Sequence, residues 1–222
     1  MDTELFLKLR PLFHKYPPLY YKKEQIIIRP EDKIENIYFI EKGFVRFYYL
    51  SDEGKEMTFL IYKPGYFFPI LYAFFGNKTR YYFEALTPVV LRRAPRETFT
   101  KVVEANNALS LAISKEIILR MQGILSKMEF LTLGGAYQNV AFTILICAQE
   151  FGKKNKQSIV LNLPLAHKDI ASMAGLTRET VSIEMKRLEK EGLIAYKRNH
   201  ITIKNLDKYK KKTKIELNYE YS

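Results

Sequence analysis

His167-Lys168-Asp169-Ile170-Ala171-Ser172-Met173-Ala174, Gly175-Leu176-Thr177 and Arg178-Glu179-Thr180-Val181-Ser182-Ile183-Glu184-Met185-Lys186-Arg187-Leu188-Glu189-Lys190-Glu191 run consecutively, and the fold is decided here. The first segment places Ile170, Ala171 and Ala174 on one face of a short helix. Gly175 supplies a tight turn that lets two helices cross steeply, and Ala171 is small where the second helix must come close. Thr177 is a good N-cap for that second helix. Val181, Met185 and Leu188 form its buried stripe, which leaves Arg178, Glu179, Ser182, Ile183 and Lys186 facing outwards. A helix that presents Arg, Glu and Ser in its first turns suits reading of the DNA major groove.

Downstream, Gly192 stops the helix, and Leu193-Ile194-Ala195-Tyr196 and His200-Ile201-Thr202-Ile203 read as two strands. Their tip, Lys197-Arg198-Asn199, is basic and placed to touch phosphates. Lys168, His167 and His200 flank the same face. Upstream, Ala136–Glu150 is an amphipathic helix, Gly152–Gln157 a polar turn, and Ile159–Pro164 a short strand. The charge agrees with this picture. The chain carries +12 in all, from 36 basic and 24 acidic residues. After Gly152 there are 16 basic and 8 acidic residues, so +8 falls in less than a third of the length. A basic terminal domain is the footprint of a phosphate-backbone binder.

Further towards the N-terminus the pattern changes twice. From about Arg96 to Leu133 only Gly123 interrupts a helical pattern. Leu109, Ile113, Ile117, Met121, Ile124, Met128 and Leu131 step by threes and fours. A helix of that length outruns a small sheet, so a two-fold helix pair joining subunits is favoured over packing on its own domain. Gly134-Gly135 then reads as a hinge. From Gln25 to Leu91, short apolar and aromatic runs alternate with Gly turns, as in a β-sandwich or barrel. The expectation is an α+β chain: a β-sandwich or barrel over 1–104, a dimerisation helix and hinge over 105–134, and a winged helix-turn-helix over 135–222.

Composition excludes other classes. No run of about 18 apolar residues is present to span a membrane, and Met1-Asp2-Thr3-Glu4 lacks an apolar secretion signal. A single cysteine, Cys147, fits a reducing cytoplasm and is too few for an iron–sulfur cluster. His14, His167 and His200 lack metal-ligand spacing, so no metal or other cofactor is expected. There is no phosphate-binding Gly-rich loop, HExxH or nucleophile elbow, hence no enzyme signature.

The order of modules resembles regulators related to the cyclic-AMP receptor protein and the fumarate–nitrate reduction regulator (the CRP/FNR family), over nearly the whole chain. Tyr38-Phe39-Ile40-Glu41-Lys42-Gly43 and Asp52-Glu53-Gly54-Lys55-Glu56-Met57 are similar to the family's roll hairpins. Ile170-Ala171 through Gly175-Leu176-Thr177-Arg178-Glu179-Thr180-Val181-Ser182 is close to its recognition signature. The resemblance implies that residues 1–104 form a double-stranded β-helix of the cyclic-nucleotide-binding type (a β-roll). It also implies a homodimer on double-stranded DNA, with Arg178 bonding guanine, Glu179 accepting from cytosine, and Ser182 facing bases. Activation would add RNA polymerase as a partner. Ile183 departs from the family, where many relatives carry a second Arg.

The sensor departs further. Cyclic-nucleotide-binding members carry a Gly-Glu pair after the roll's Pro/Gly turn and a later Arg-Ser or Arg-Thr pair. Pro69 and Ile70 stand where Gly-Glu should be, and Arg80 is followed by Tyr81. Pro69 has no N–H to give and Ile70 no acceptor, so the phosphate cradle is largely missing. Phe67, Phe68, Ile70, Leu71, Tyr72, Arg80, Tyr81 and Met121 instead mark an expected pocket for a hydrophobic or aromatic effector, unless the rings are simply roll core. The alternative function is a small-molecule-sensing roll whose C-terminal module binds RNA or a protein. The absence of exposed aromatics on the second helix speaks against RNA.

Overall fold

A computed structural model of the chain describes residues 8–215. Met1–Glu4 and the outermost ends of the first and third expected domains lie outside the described residues. Two compact units are present, one ending at Ile118 and one beginning at Leu119.

In the first unit, short helix α1 (Arg10–His14) precedes eight strands: β1 (Leu19–Tyr21), β2 (Ile26–Ile28), β3 (Asn36–Lys42), β4 (Val45–Leu50), β5 (Glu56–Tyr62), β6 (Phe67–Phe68), β7 (Tyr82–Ala85) and β8 (Val89–Pro95). They form two antiparallel four-stranded sheets, ordered β1-β8-β3-β6 and β2-β7-β4-β5. Alternation puts Ile37, Phe39, Val45, Phe47, Phe83 and Leu91 into one core, the period-2 arrangement of half-buried strands. At the β3–β4 turn Gly43 has φ +83°, and a Cβ there would lie 2.2 Å from the Pro88 carbonyl oxygen, so only glycine fits.

Helix α2 (Arg96–Glu104) follows β8, and α3 (Asn107–Leu133) is 27 residues long. The single helical run expected from Arg96 is therefore broken. Asn106 breaks it, its Oδ1 accepting from the Leu109 N–H at 3.1 Å as a helix cap. The expected seam also divides. Leu109 and Ile113 are buried in the roll core and Ile117 packs against it. The large apolar residues left at the surface are Leu111, Ile118, Met121, Ile124, Leu125, Met128 and Leu133. Leu111, Ile118, Met121, Leu125 and Met128 fall on one heptad-like stripe, which shares Met121 and Met128 with the expected one.

The second unit contains α4 (Ala136–Phe151), β9 (Gly152–Asn155), β10 (Ser158–Leu161), α5 (His167–Ala174), α6 (Arg178–Lys190), β11 (Ile194–Lys197), β12 (His200–Ile203) and α7 (Leu206–Thr213). Its sheet runs β11-β12-β10-β9, all antiparallel. β9 occupies the segment expected to be only a turn. All but the first of its residues are exposed at the sheet edge, so no apolar alternation announced it. Tyr209 of α7 is fully buried, and its hydroxyl donates to the Ala141 carbonyl oxygen at 2.9 Å. Phe130 stacks on Phe142 at 4.1 Å, fastening the end of α3 to α4. Cys147 is buried, and desolvation pushes its thiol pKa up, as befits a core residue. The architecture is thus the α+β arrangement expected: roll, long helix, winged helix-turn-helix.

Candidate nucleic-acid interface

The chemistry of the second unit is set by how α6 is mounted. Ile170 and Ala174 from α5 and Val181, Met185 and Leu188 from α6 are buried together. Gly175 ends α5 in the left-handed conformation, φ 64° and ψ 33°, where a side chain would be strained. Thr177 Oγ1 accepts from the Thr180 N–H at 3.2 Å, capping α6 as its sequence implied. Asp169 Oδ2 accepts from the Ala166 N–H at 2.8 Å and fixes the start of α5. The two helices therefore meet through a turn with little freedom.

This mounting sorts the side chains of α6. Arg178, Glu179, Ile183 and Lys186 are exposed and Ser182 is half-buried. Among the described residues, none of the polar four makes a side-chain hydrogen bond or ion pair. Arg187 is also exposed but engaged: it lies 3.3 Å from Glu191, 3.7 Å from Glu184, and 4.3 Å from the Tyr137 ring centroid. Tyr137 in turn donates to Glu191 Oε2 at 2.6 Å. One arginine is thus bound to the scaffold while Arg178 is left available at the helix N-terminus.

The wing is braced to the same module. β11 and β12 pair from Ile194↔Ile203 to Lys197↔His200. Arg198 and Asn199, at the tip, have φ 50° and 65°, the pattern of a two-residue type I′ hairpin. The Tyr196 hydroxyl lies 3.1 Å from the Leu165 carbonyl and 2.9 Å from Asn199 Oδ1, while the Leu165 N–H donates to the Asn199 carbonyl at 2.7 Å. Glu189 accepts from the Tyr196 N–H at 2.9 Å, joining α6 to the wing. Lys197, Arg198 and His200 are exposed, and Lys168 is exposed on α5.

His167 stacks on Tyr196 at 4.9 Å. Its pKa is lowered by desolvation and then by the positive charges of Arg178 and Lys186. Sequence reading placed His167 near the interface but missed Tyr196 and Glu189, whose roles depend on partners distant in the chain.

All but one of the expected effector residues belong to the first unit. Phe67, Phe68 and Ile70 are buried in the roll, Tyr72 and Tyr81 half-buried, and Leu71 and Arg80 exposed. Met121 is exposed on α3, in the second unit. Rings fill the roll interior in succession: Tyr62 to Phe68 at 5.6 Å, Phe68 to Phe83 at 5.4 Å, Phe83 to Phe47 at 4.8 Å, and Phe47 to Tyr81 at 4.9 Å. The Arg80 guanidinium lies 5.2 Å from the Tyr49 ring and 5.9 Å from the Tyr81 ring. Among the described residues, no group of three or more His, Cys, Asp or Glu is arranged to hold a metal ion. No helix there is long and apolar enough to cross a membrane.

Comparison with known proteins gives the same two modules. Residues 18–106 match the cyclic nucleotide-binding domain model, and residues 138–211 match the Crp-like helix-turn-helix domain model. The chain belongs to the CRP/FNR family of transcription regulators. It is 27% identical over 195 residues to the global nitrogen regulator of Nostoc sp. strain PCC 7120, covering 85% of this chain and 86% of that one. It is 25% identical over 186 residues to the cAMP-activated global transcriptional regulator CRP of Pasteurella multocida, covering 82% and 85%. Among solved structures, a CooA mutant from Carboxydothermus hydrogenoformans superposes with a TM-score of 0.78 at 25% identity, over 96% of this chain and 97% of that one. This CRP/FNR regulator is accordingly a DNA-binding transcription regulator, and regulators of the family bind DNA and function as dimers.

Proposed function

We propose that this CRP/FNR regulator acts as a cytoplasmic homodimer without catalytic activity. Its two α6 helices enter successive major grooves of a two-fold-symmetric operator. The single observation that carries the reading is the contrast on α6. Arg187 is engaged by Glu184, Glu191 and Tyr137, whereas Arg178 and Glu179 stand in the first turn with no partner among the described residues. Arg178 then bonds guanine, Glu179 accepts from cytosine, and Ser182 and Lys186 complete the outward face. Thr177, at the N-cap, lies where the helix approaches the phosphate backbone. Lys168, Lys197, Arg198 and His200 hold phosphates on either side. The exposed stripe of α3 supplies the subunit contact, and RNA polymerase is the further partner where the regulator activates.

The roll favours control by a hydrophobic or aromatic small molecule over a cyclic nucleotide. Pro69 and Ile70 replace the cradle, and rings occupy the interior. Within the first unit, Leu71, Tyr72, Arg80 and Tyr81 are the members of the expected pocket that a ligand can reach from solvent; Phe67, Phe68 and Ile70 would shape it from within.

Measured by equilibrium binding to specific and random duplexes over a salt series, Arg178→Ala is expected to remove about 1–3 kcal/mol of discrimination between the two. Arg198→Ala is expected to weaken both alike and to make the salt slope shallower. Unchanged discrimination in Arg178→Ala would remove α6 as the reading helix.

A further inference from the structure

Ile183 has no structural reason to be where it is. It lies on α6 with 65% of its surface exposed, and it is the one large apolar side chain of that helix to reach solvent. The other apolar residues of α6, namely Val181, Met185 and Leu188, are all buried. A β-branched residue gains nothing in helix propensity, and an exposed isoleucine gains nothing from burial. One turn before it stands Glu179, and Lys186 follows three residues later, so it sits within the outward face already assigned to base reading. An apolar side chain there has one complementary feature in the major groove, the C5 methyl group of thymine.

We propose that Ile183 is a specificity-determining residue that selects a T·A pair in each half-site by apolar contact with the thymine methyl. This rests on the reading of α6 as the recognition helix and adds a base that the polar readers do not specify. The helix geometry also places that base. Five residues separate Arg178 from Ile183, so the two side chains lie about 7.5 Å apart along the helix axis. At about 3.4 Å per base-pair step, the thymine falls roughly two steps from the guanine that Arg178 reads.

The test uses the full-length chain and an operator duplex enriched from a random pool. Each thymine of one half-site is replaced singly by deoxyuridine, which removes only the methyl group. Binding of the unmodified protein is expected to weaken about fourfold, the value of one buried methyl-sized group, at one position only. That position should lie about two steps from the base pair at which Arg178→Ala loses discrimination. The Ile183→Ala variant is expected to bind the thymine and deoxyuridine duplexes equally, with a circular dichroism spectrum unchanged because the side chain is exposed. Ile183→Arg, reselected from the random pool, is expected to enrich guanine at that position. Insensitivity of the unmodified protein to every replacement would overturn the inference, as would equal sensitivity in Ile183→Ala. Either result leaves the recognition helix standing, whereas enrichment of no duplex at all would remove the recognition helix and this contact together.

Discussion

Arg178 and Arg187 lie nine residues apart on α6 and face different tasks, one available at the helix start and the other held by Glu184, Glu191 and Tyr137. The wing shows a related trade at Arg198. A type I′ turn favours Asn or Gly, because both central residues need positive φ, and Arg198 occupies that conformation at φ 50°. A left-handed non-glycine residue costs about 1–2 kcal/mol, so a cation at the wing tip is retained against local stability. Arg198→Gly is therefore expected to raise the unfolding free energy of the chain by roughly 0.5–1 kcal/mol in urea titrations, while weakening its binding to all duplexes. A loss of stability would show that the turn is not strained. At this scale the outward residues of α6 were legible from sequence, because helical period alone separates Arg178, Glu179 and Ile183 from Val181, Met185 and Leu188. The binding of Arg187 was not, since Tyr137 comes from a helix fifty residues earlier.

Elements whose pattern is carried by burial were legible, and elements without such a pattern were not. α5, α6 and the wing strands announce themselves by apolar period and by Gly175 and Gly192. Exposed edge strand β9 carries no period, and the break at Asn106 is a capping event inside a stretch without Gly or Pro. α3 shows how one period can serve two masters. Leu109, Ile113 and Ile117 face the roll core, so the surface available to another subunit is the neighbouring stripe of Leu111, Ile118, Met121, Leu125 and Met128. Leu125→Asp would place a carboxylate in a two-fold seam and remove two leucines from it. With about 2 kcal/mol for each buried leucine, dimer dissociation is expected to shift by roughly 1000-fold, read by sedimentation equilibrium. The circular dichroism spectrum should be unchanged, since Leu125 is exposed in the single chain. A dimer as tight as that of the unmodified protein would move the subunit contact away from this stripe.

Across the whole molecule, module order and the charge of the C-terminal third were readable, because both are properties of long stretches. Room for a ligand in the roll was not, because that depends on how completely side chains brought together from β3 to β8 fill the space between them. Tyr62, Phe68, Phe83 and Phe47 stack in succession in the roll and Tyr81 meets Phe47 edge-on, and Pro69 offers no N–H to a phosphate. Millimolar cyclic AMP is consequently expected to leave operator affinity unchanged in fluorescence anisotropy, and a shift to nanomolar binding would restore the cyclic nucleotide as effector. The proposed function requires two α6 helices related by a two-fold axis. Selection of bound duplexes from a random pool tests this most directly. The expected result is a two-fold-symmetric consensus with half-site centres about 34 Å, one DNA turn, apart. A single unpaired motif, or no enriched sequence, would contradict it.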